Sequence, residues 1–230
     1  MTWIKICGIT DREDALTAVR AGADALGFVF CEKSPRYVAP DTARQIVAEL
    51  PANVEKVGVF VSDSTVSPAD TAEQVGLTAL QFHLVPGAAP RDPQSPLGAT
   101  CAAHPRKWYL AVPAAWFLGE GPVKANLSAF ANPNGSWNTI FLDSGSPDRP
   151  GGTGKPFDWQ KAISVVEDLK RNLNVVIAGG LNPENVVDAM RILRPWGVDV
   201  ASGVEDRPGK KDPEKVRAFI AAVREADRSA

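Results

Sequence analysis

Val175-Val176-Ile177-Ala178-Gly179-Gly180-Leu181-Asn182-Pro183 runs from a short apolar strand, through a glycine pair, to a cap residue placed before proline. The apolar run is continuous rather than alternating, as expected of a parallel strand covered on both faces. A cap residue followed by proline marks a helix start. The same grammar returns at Val198-Asp199-Val200-Ala201, which leads into Ser202-Gly203. Upstream it recurs at Trp3–Gly8, Ala25–Phe30, Lys56–Val61, Ala79–Leu84, Trp108–Val112 and Thr139–Asp143. β-Branched residues supply much of this, as in Ile4/Ile6 and Val57/Val59/Val61.

Helical patterns fill the gaps. Thr10-Asp11-Arg12-Glu13 reads as a capping box, with Gly22 as the helix end. Asp41 opens a second helix running through Leu50 to the stop at Pro51. Ser67-Pro68, Asn182-Pro183 and Asp212-Pro213 open three more, and Asp158 caps one running to about Arg171. The last, Pro213–Asp227, carries Val216, Phe219, Ile220 and Val223 as one stripe. The fourth and fifth helices are the least defined: Pro86–Pro105 holds five prolines, and Ala115–Pro133 is irregular. Eight strands with helices between them fit an α/β fold, a (β/α)₈ barrel forming one domain over residues 1–230. The runner-up is an open doubly wound sheet.

Composition narrows the function. The 230 residues are 44% hydrophobic and 23% charged, with a net charge of −2, which gives no electrostatic reason for a nucleic-acid surface. No apolar stretch reaches the ~18 residues that span a bilayer, and Met-Thr-Trp-Ile-Lys lacks the form of a secretory signal. A cytoplasmic protein with free cysteines is expected. Cys7, Cys31 and Cys101 are too scattered for a disulfide framework, and two histidines, His83 and His104, do not suggest a His-rich metal site.

In a barrel, chemistry belongs at the carboxyl ends of the strands. There stand Lys5 and Cys7, Arg36 after strand 2, His83, Asp143, Gly179-Gly180 and Ser202-Gly203. The glycines after strands 7 and 8 suit a phosphate held by backbone N–H groups, or plain turns. Gly151-Gly152-Thr153-Gly154-Lys155 is no Walker A loop, because Arg149 stands where that motif needs glycine; a lid beside Asp143 suits it better. Cys7 is either a small core residue or a reactive thiol. Lys5 shares its face by strand alternation and would favour the thiolate. Asp143 is a loop cap or a site group, Arg36 a surface charge or an anion fork, and His83 a satisfied rim residue or a ligand contact.

Taken together these segments resemble the phosphoribosylanthranilate isomerase family. The matching blocks are Lys5–Thr10, Gly22–Phe30, Ser34-Pro35-Arg36-Tyr37, Val57–Val61, Leu142-Asp143, Gly151–Trp159, Ala178–Val186, Gly197–Glu205 and Gly209–Asp212, in the family's order. The resemblance implies a (β/α)₈ barrel and an Amadori rearrangement of a phosphoribosyl substrate in tryptophan biosynthesis. It implies Cys7 as general base, Asp143 as general acid, Arg36 as the holder of the anthranilate carboxylate, and a reaction that requires no metal or organic cofactor. Phosphate would rest near Gly180, Ser202 and Gly203, with Gly179 and His83 completing the substrate-binding set. A monomer is expected, a dimer being the other state this fold adopts. Three positions depart from the pattern: Leu84 follows His83 where glycine is usual, Tyr109–Val112 lacks a common lysine-alanine pair, and Ala201 replaces a common serine. The competing readings are a histidine-pathway aminoaldose isomerase, which uses two aspartates, and a phosphosugar-binding barrel without activity.

Overall fold

The computed structural model describes residues 1–61, 67–85, 107–119, 137–145 and 155–229. Eight parallel strands close on themselves: β1 (Trp3–Cys7), β2 (Ala25–Val29), β3 (Glu55–Val61), β4 (Ala79–His83), β5 (Lys107–Pro113), β6 (Thr139–Asp143), β7 (Asn174–Ile177) and β8 (Gly197–Val200). Pairing of β1 with both β2 and β8 closes the ring and rules out the open sheet. All eight expected strands are present, with ends within one or two residues of the expected positions.

Around the ring lie α1 (Arg12–Ala21), α2 (Pro40–Val47), α3 (Pro68–Val75), α4 (Ala115–Leu118), α5 (Trp159–Lys170), α6 (Val186–Leu193) and α7 (Pro213–Ser229). Of the two ill-defined helical regions, 86–106 and 120–136 lie outside the described residues; what is described after β5 is the single turn α4. After β8 come a 3₁₀ turn (Ser202–Val204) and the small hairpin β9 (Glu205–Arg207) and β10 (Lys210–Lys211). Among the described residues no helix is long and apolar enough to cross a membrane.

Continuous apolar strands make two cores. One face of each strand packs outward under the helices, where Phe30, Phe60, Phe82 and Trp108 stack in a ladder at 5.3–5.8 Å between ring centroids. The other face fills the barrel with Ala25, Val57, Ala79, Tyr109, Phe141 and Val176. Trp3 closes the amino end of the interior, edge-on to Tyr109 and Phe141. A barrel of this size has a packed interior.

Caps follow the sequence with three differences. Asp11, not Thr10, caps α1, accepting from the Asp14 amide at 3.0 Å, while the Thr10 hydroxyl donates to the Gly209 carbonyl instead. A cap of this kind contributes about 1 kcal/mol. α2 begins at Pro40 and ends at Val47; its expected last turn is a tighter one, closed by Glu49 and Leu50 amides on Ile46 and Val47. The helix expected at Pro183 starts at Val186, because the Asn182 carboxamide accepts from the Glu184 and Asn185 amides and holds a turn there. Ser67, Asp158 and Asp212 cap α3, α5 and α7 as expected.

Candidate active site

Strand alternation sends Lys5 and Cys7 of β1 into the barrel, with Cys7 uppermost. Gly27 of β2 makes room for them, since a Cβ there would stand 2.7 Å from the Cys7 sulfur and 3.0 Å from Lys5 Cε. Lys5 is fully buried, which a cation tolerates only when paired. Its partner is Asp199 of β8, 2.9 Å from Nζ, and its ammonium lies 5.1 Å from the Phe141 ring centroid. Asp199 was not among the expected site residues. A charge between Val198 and Val200, at an inward position of a buried strand, is the signal that marks it.

Asp143 ends β6, 9% exposed, and Oδ1 accepts from the Gly145 amide at 2.7 Å. Burial pushes its carboxyl above the ordinary carboxylate value, against the pull of that amide and of Lys5. This is the direction the sequence setting implied. Burial also raises Asp199, with Lys5 opposing it and Asp143 adding to the rise. For Lys5, burial acts downward, but Asp199 and Cys7 outweigh it and hold the ammonium charged.

Cys7 corrects an expectation. Lys5 does favour its thiolate, and so does Lys211, but burial acts the other way, aided by the charge on Asp199, and the thiol is pushed up. Lys5 thus faces three acidic groups, and Lys211 reaches only one of them, Cys7.

His83 ends β4 and is half-buried. Burial, with Lys5 nearby, takes its imidazole down to about 4, so it is neutral near pH 7. Its Nε2 lies 3.2 Å from Gln81 Nε2, while the buried Gln81 Oε1 has no partner among the described residues. Leu84, where the family usually carries glycine, is buried in the outer core, and its amide extends the ladder to the Ala111 carbonyl at 2.9 Å.

Arg36 lies in the loop from β2 to α2, turned by the Ser34 hydroxyl accepting from its amide. Its side chain crosses Gly8, where a Cβ would stand 2.6 Å from Arg36 Cδ and where φ is +77°. A residue without a side chain is required there on both counts. The guanidinium is not a solvated surface charge: Nε and Nη2 each donate at 2.8 Å to Glu205 of β9. Glu205 and its second cationic partner Lys211 stand in segments the resemblance covers, yet no spacing in the sequence pairs them with Arg36.

Gly180 and Gly203, with Leu181, Asn182 and Ser202, line a cleft of about 190 Å³ at the carboxyl ends of β7 and β8. Gly179 and Gly180 hold left-handed φ values of 78° and 69°. A Cβ on Gly203 would stand 1.9 Å from the Leu181 carbonyl oxygen, so only glycine lets the two loops meet. Gly179 packs against Asp143 and Ser144 and does not line the cleft. Residues 146–154, which hold the expected lid glycines, and Cys101 lie outside the described residues. Among the described residues no grouping of His, Cys, Asp or Glu could hold a metal ion.

The arrangement offers a raised carboxyl, a buried thiol beside a cation, an arginine at the rim and a glycine-lined cleft. Comparison with known proteins agrees on one family. The family model described as N-(5'phosphoribosyl)anthranilate (PRA) isomerase matches residues 4–102 and 123–222. N-(5'-phosphoribosyl)anthranilate isomerase of Chlorobaculum parvum is 46% identical over 228 residues, covering 99% of this chain and 97% of its own. The crystal structure of phosphoribosyl anthranilate isomerase from Thermotoga maritima is 37% identical, covers 98% of this chain and 100% of its own, and superposes with a TM-score of 0.75. A second structure, of such an isomerase with reduced 1-(o-carboxyphenylamino)-1-deoxyribulose 5-phosphate, is 35% identical with a TM-score of 0.72 and the same coverage. A third is described as monomers generated from the dimeric Thermotoga maritima protein, at 35% identity, a TM-score of 0.72 and the same coverage.

Proposed function

The chain belongs to the N-(5'-phosphoribosyl)anthranilate isomerase family and is an isomerase of tryptophan biosynthesis, and on that premise we propose that Cys7 and Asp143 are its base and acid. The reaction is the Amadori rearrangement of N-(5-phosphoribosyl)anthranilate to 1-(2-carboxyphenylamino)-1-deoxyribulose 5-phosphate. It is redox-neutral, and its steps are proton transfers.

Asp143 gives its proton to the furanose oxygen, the ring opens, and the amine nitrogen becomes a protonated Schiff base. That group acidifies the C2 proton, which the Cys7 thiolate takes, leaving a neutral enolamine. Return of a proton to C1 and loss of one from the C2 hydroxyl give the ketone and restore the starting protonation. Arg36 holds the anthranilate carboxylate, and backbone amides around Gly180, Ser202 and Gly203 hold the phosphate, with Gly179 shaping the mouth beside Asp143. His83, neutral, is a hydrogen-bonding contact to the sugar rather than a proton carrier.

The observation that carries this assignment is the mouth's charge balance. Burial raises the Asp143 carboxyl, the direction a proton donor needs, and Lys5, which opposes that rise, is paired with Asp199 at 2.9 Å. We read the chain as one barrel domain over residues 1–230 acting as a monomer, with a dimer, the form named for the Thermotoga maritima relative, as the other state. A phosphorylated substrate does not cross a bilayer unaided, which supports a cytoplasmic enzyme working beside the reactions that make and use that substrate.

The test follows loss of phosphoribosylanthranilate fluorescence, with the substrate made in situ from anthranilate and phosphoribosyl pyrophosphate. Cys7→Ala and Asp143→Asn are each expected to lower kcat by about 10²–10⁴-fold. Turnover that survives Cys7→Ala overturns the base, and turnover that survives Asp143→Asn the acid. The active form needs Cys7 ionised and Asp143 protonated, so kcat/KM follows a bell. Both limbs are expected at higher pH than an ordinary carboxyl and thiol would set.

A further inference from the structure

Among the described residues of the mouth, Arg36 shares its charge with another side chain along a full edge. A guanidinium carries five N–H donors on a planar fork. Two of them, on Nε and Nη2, are taken by the two oxygens of Glu205. The remaining hydrogens, on Nη1 and Nη2, form a second edge that makes no hydrogen bond among the described residues.

Glu205 is itself fixed. Oε1 also accepts from Lys211 Nζ at 3.1 Å and from the Gly209 amide at 3.3 Å, and the Glu205 carbonyl accepts from Lys215 Nζ at 2.9 Å. Lys211 is buried, and its ammonium is anchored by the Ala201 carbonyl at 3.1 Å. The tip of the β9–β10 hairpin presses on the loop that carries Arg36, since a Cβ on Gly209 would stand 2.9 Å from the Pro35 carbonyl oxygen. Two cations share one carboxylate, so the cluster keeps one net positive charge beside Cys7.

We infer that Glu205 is a positioning residue for the anthranilate subsite: with Lys211 behind it, it clamps the inner edge of Arg36 and presents the outer edge to the substrate carboxylate. The inference rests on the reading of Arg36 given above. An unclamped arginine has long side-chain freedom to lose on binding, whereas a clamped fork is already ordered. The clamp therefore acts on recognition of the carboxylate and not on proton transfer.

The experiment measures calorimetric binding of reduced 1-(o-carboxyphenylamino)-1-deoxyribulose 5-phosphate and of the matching phenylamino compound without the carboxyl. Wild type, Glu205→Gln, Glu205→Asp and Arg36→Ala are compared, with KM and kcat measured on each. Glu205→Gln is expected to weaken the carboxylated compound by roughly tenfold to a hundredfold, the range for hydrogen bonds to charged groups. The uncarboxylated compound should bind as it does to wild type, and KM should rise with kcat within about threefold. Glu205→Asp keeps the charge but lies one methylene short, and should fall between.

Equal weakening of both compounds, or loss of kcat at constant KM, makes Glu205 a structural residue and overturns the inference. If Arg36→Ala discriminates the two compounds and neither Glu205 variant does, the inference fails while the reading of Arg36 stands. If Arg36→Ala does not discriminate either, that reading fails and takes the inference with it. Should Glu205→Gln not fold, the same comparison on Glu205→Asp decides.

Discussion

Two buried ionic clusters stand within one barrel mouth, and they are built on opposite arithmetic. In the barrel interior Lys5 faces Asp199, Asp143 and Cys7, one cation to three acids. At the rim Arg36 and Lys211 share Glu205, two cations to one acid. A cluster short of positive charge raises the Asp143 carboxyl, which a reaction begun by proton donation needs, and it raises the Cys7 thiol as well, so the base must ionise against its surroundings. A cluster with positive charge left over attracts an anion and holds it. The difference teaches that the sign of the surplus, not the presence of ion pairs, separates chemistry from binding here.

The largest effect on stability should come from Lys5. Removing one partner of a buried pair leaves an uncompensated charge, at a cost of about 3–5 kcal/mol. Lys5→Met should lose that much in urea unfolding, and Lys5→Met/Asp199→Asn should recover at least half of it. Lys211→Met leaves Glu205 bound to Arg36 and should cost less than half as much. Similar losses for Lys5→Met and Lys211→Met would break the distinction. The pH profile sharpens it: Lys5 lowers both Cys7 and Asp143, so without it both limbs of the kcat/KM bell should move to higher pH.

A middle-sized effect is expected at the phosphate cleft, which belongs to neither cluster. Gly203→Ala drives a methyl into the Leu181 carbonyl. It should weaken inorganic phosphate binding and raise KM while leaving the pH profile unchanged. A shifted profile would tie the cleft to the proton chemistry.

The smallest effect concerns His83. Its folded value of about 4 lies below the ordinary 6.5, so the unfolded chain binds the extra proton between those limits. The stability this contributes is full above pH 6.5 and is lost as pH falls toward 4. An NMR titration should find the His83 ring unmoved from pH 8 to 6. A midpoint near 6.5 would mean that neither burial nor Lys5 acts on it.

Much of this was legible in the residues. Eight continuous apolar runs, among them Val57–Val61 and Val175–Ala178, read as strands covered on both faces, and their number and spacing favour a barrel over an open sheet; the pairing of β1 with both β2 and β8 is what decides between the two. Cap positions were legible to within a few residues; Thr10 and Asn182 misled because each side chain had a competing partner, the Gly209 carbonyl for one and the Glu184 and Asn185 amides for the other. Cys7, Asp143 and Arg36 were marked by their places at strand ends and by resemblance. The partners that set their behaviour were not. Asp199 is 194 positions from Lys5 and Glu205 is 169 from Arg36, and no local pattern relates residues at such separations. The thiol's direction is hidden for a related reason: adjacency of Lys5 is visible in sequence, whereas burial and the claim of Asp199 on that lysine are properties of the closed ring.

The most direct test of the division of labour pairs Cys7→Ala with Arg36→Ala, measuring turnover and the affinity for reduced 1-(o-carboxyphenylamino)-1-deoxyribulose 5-phosphate on both. Cys7→Ala should bind the compound as wild type does while turning over at least about 10²-fold more slowly; Arg36→Ala should lose its affinity chiefly, with kcat much less affected. Affinity falling in Cys7→Ala as far as turnover does would make the thiol part of the binding surface and contradict the separation of the two clusters.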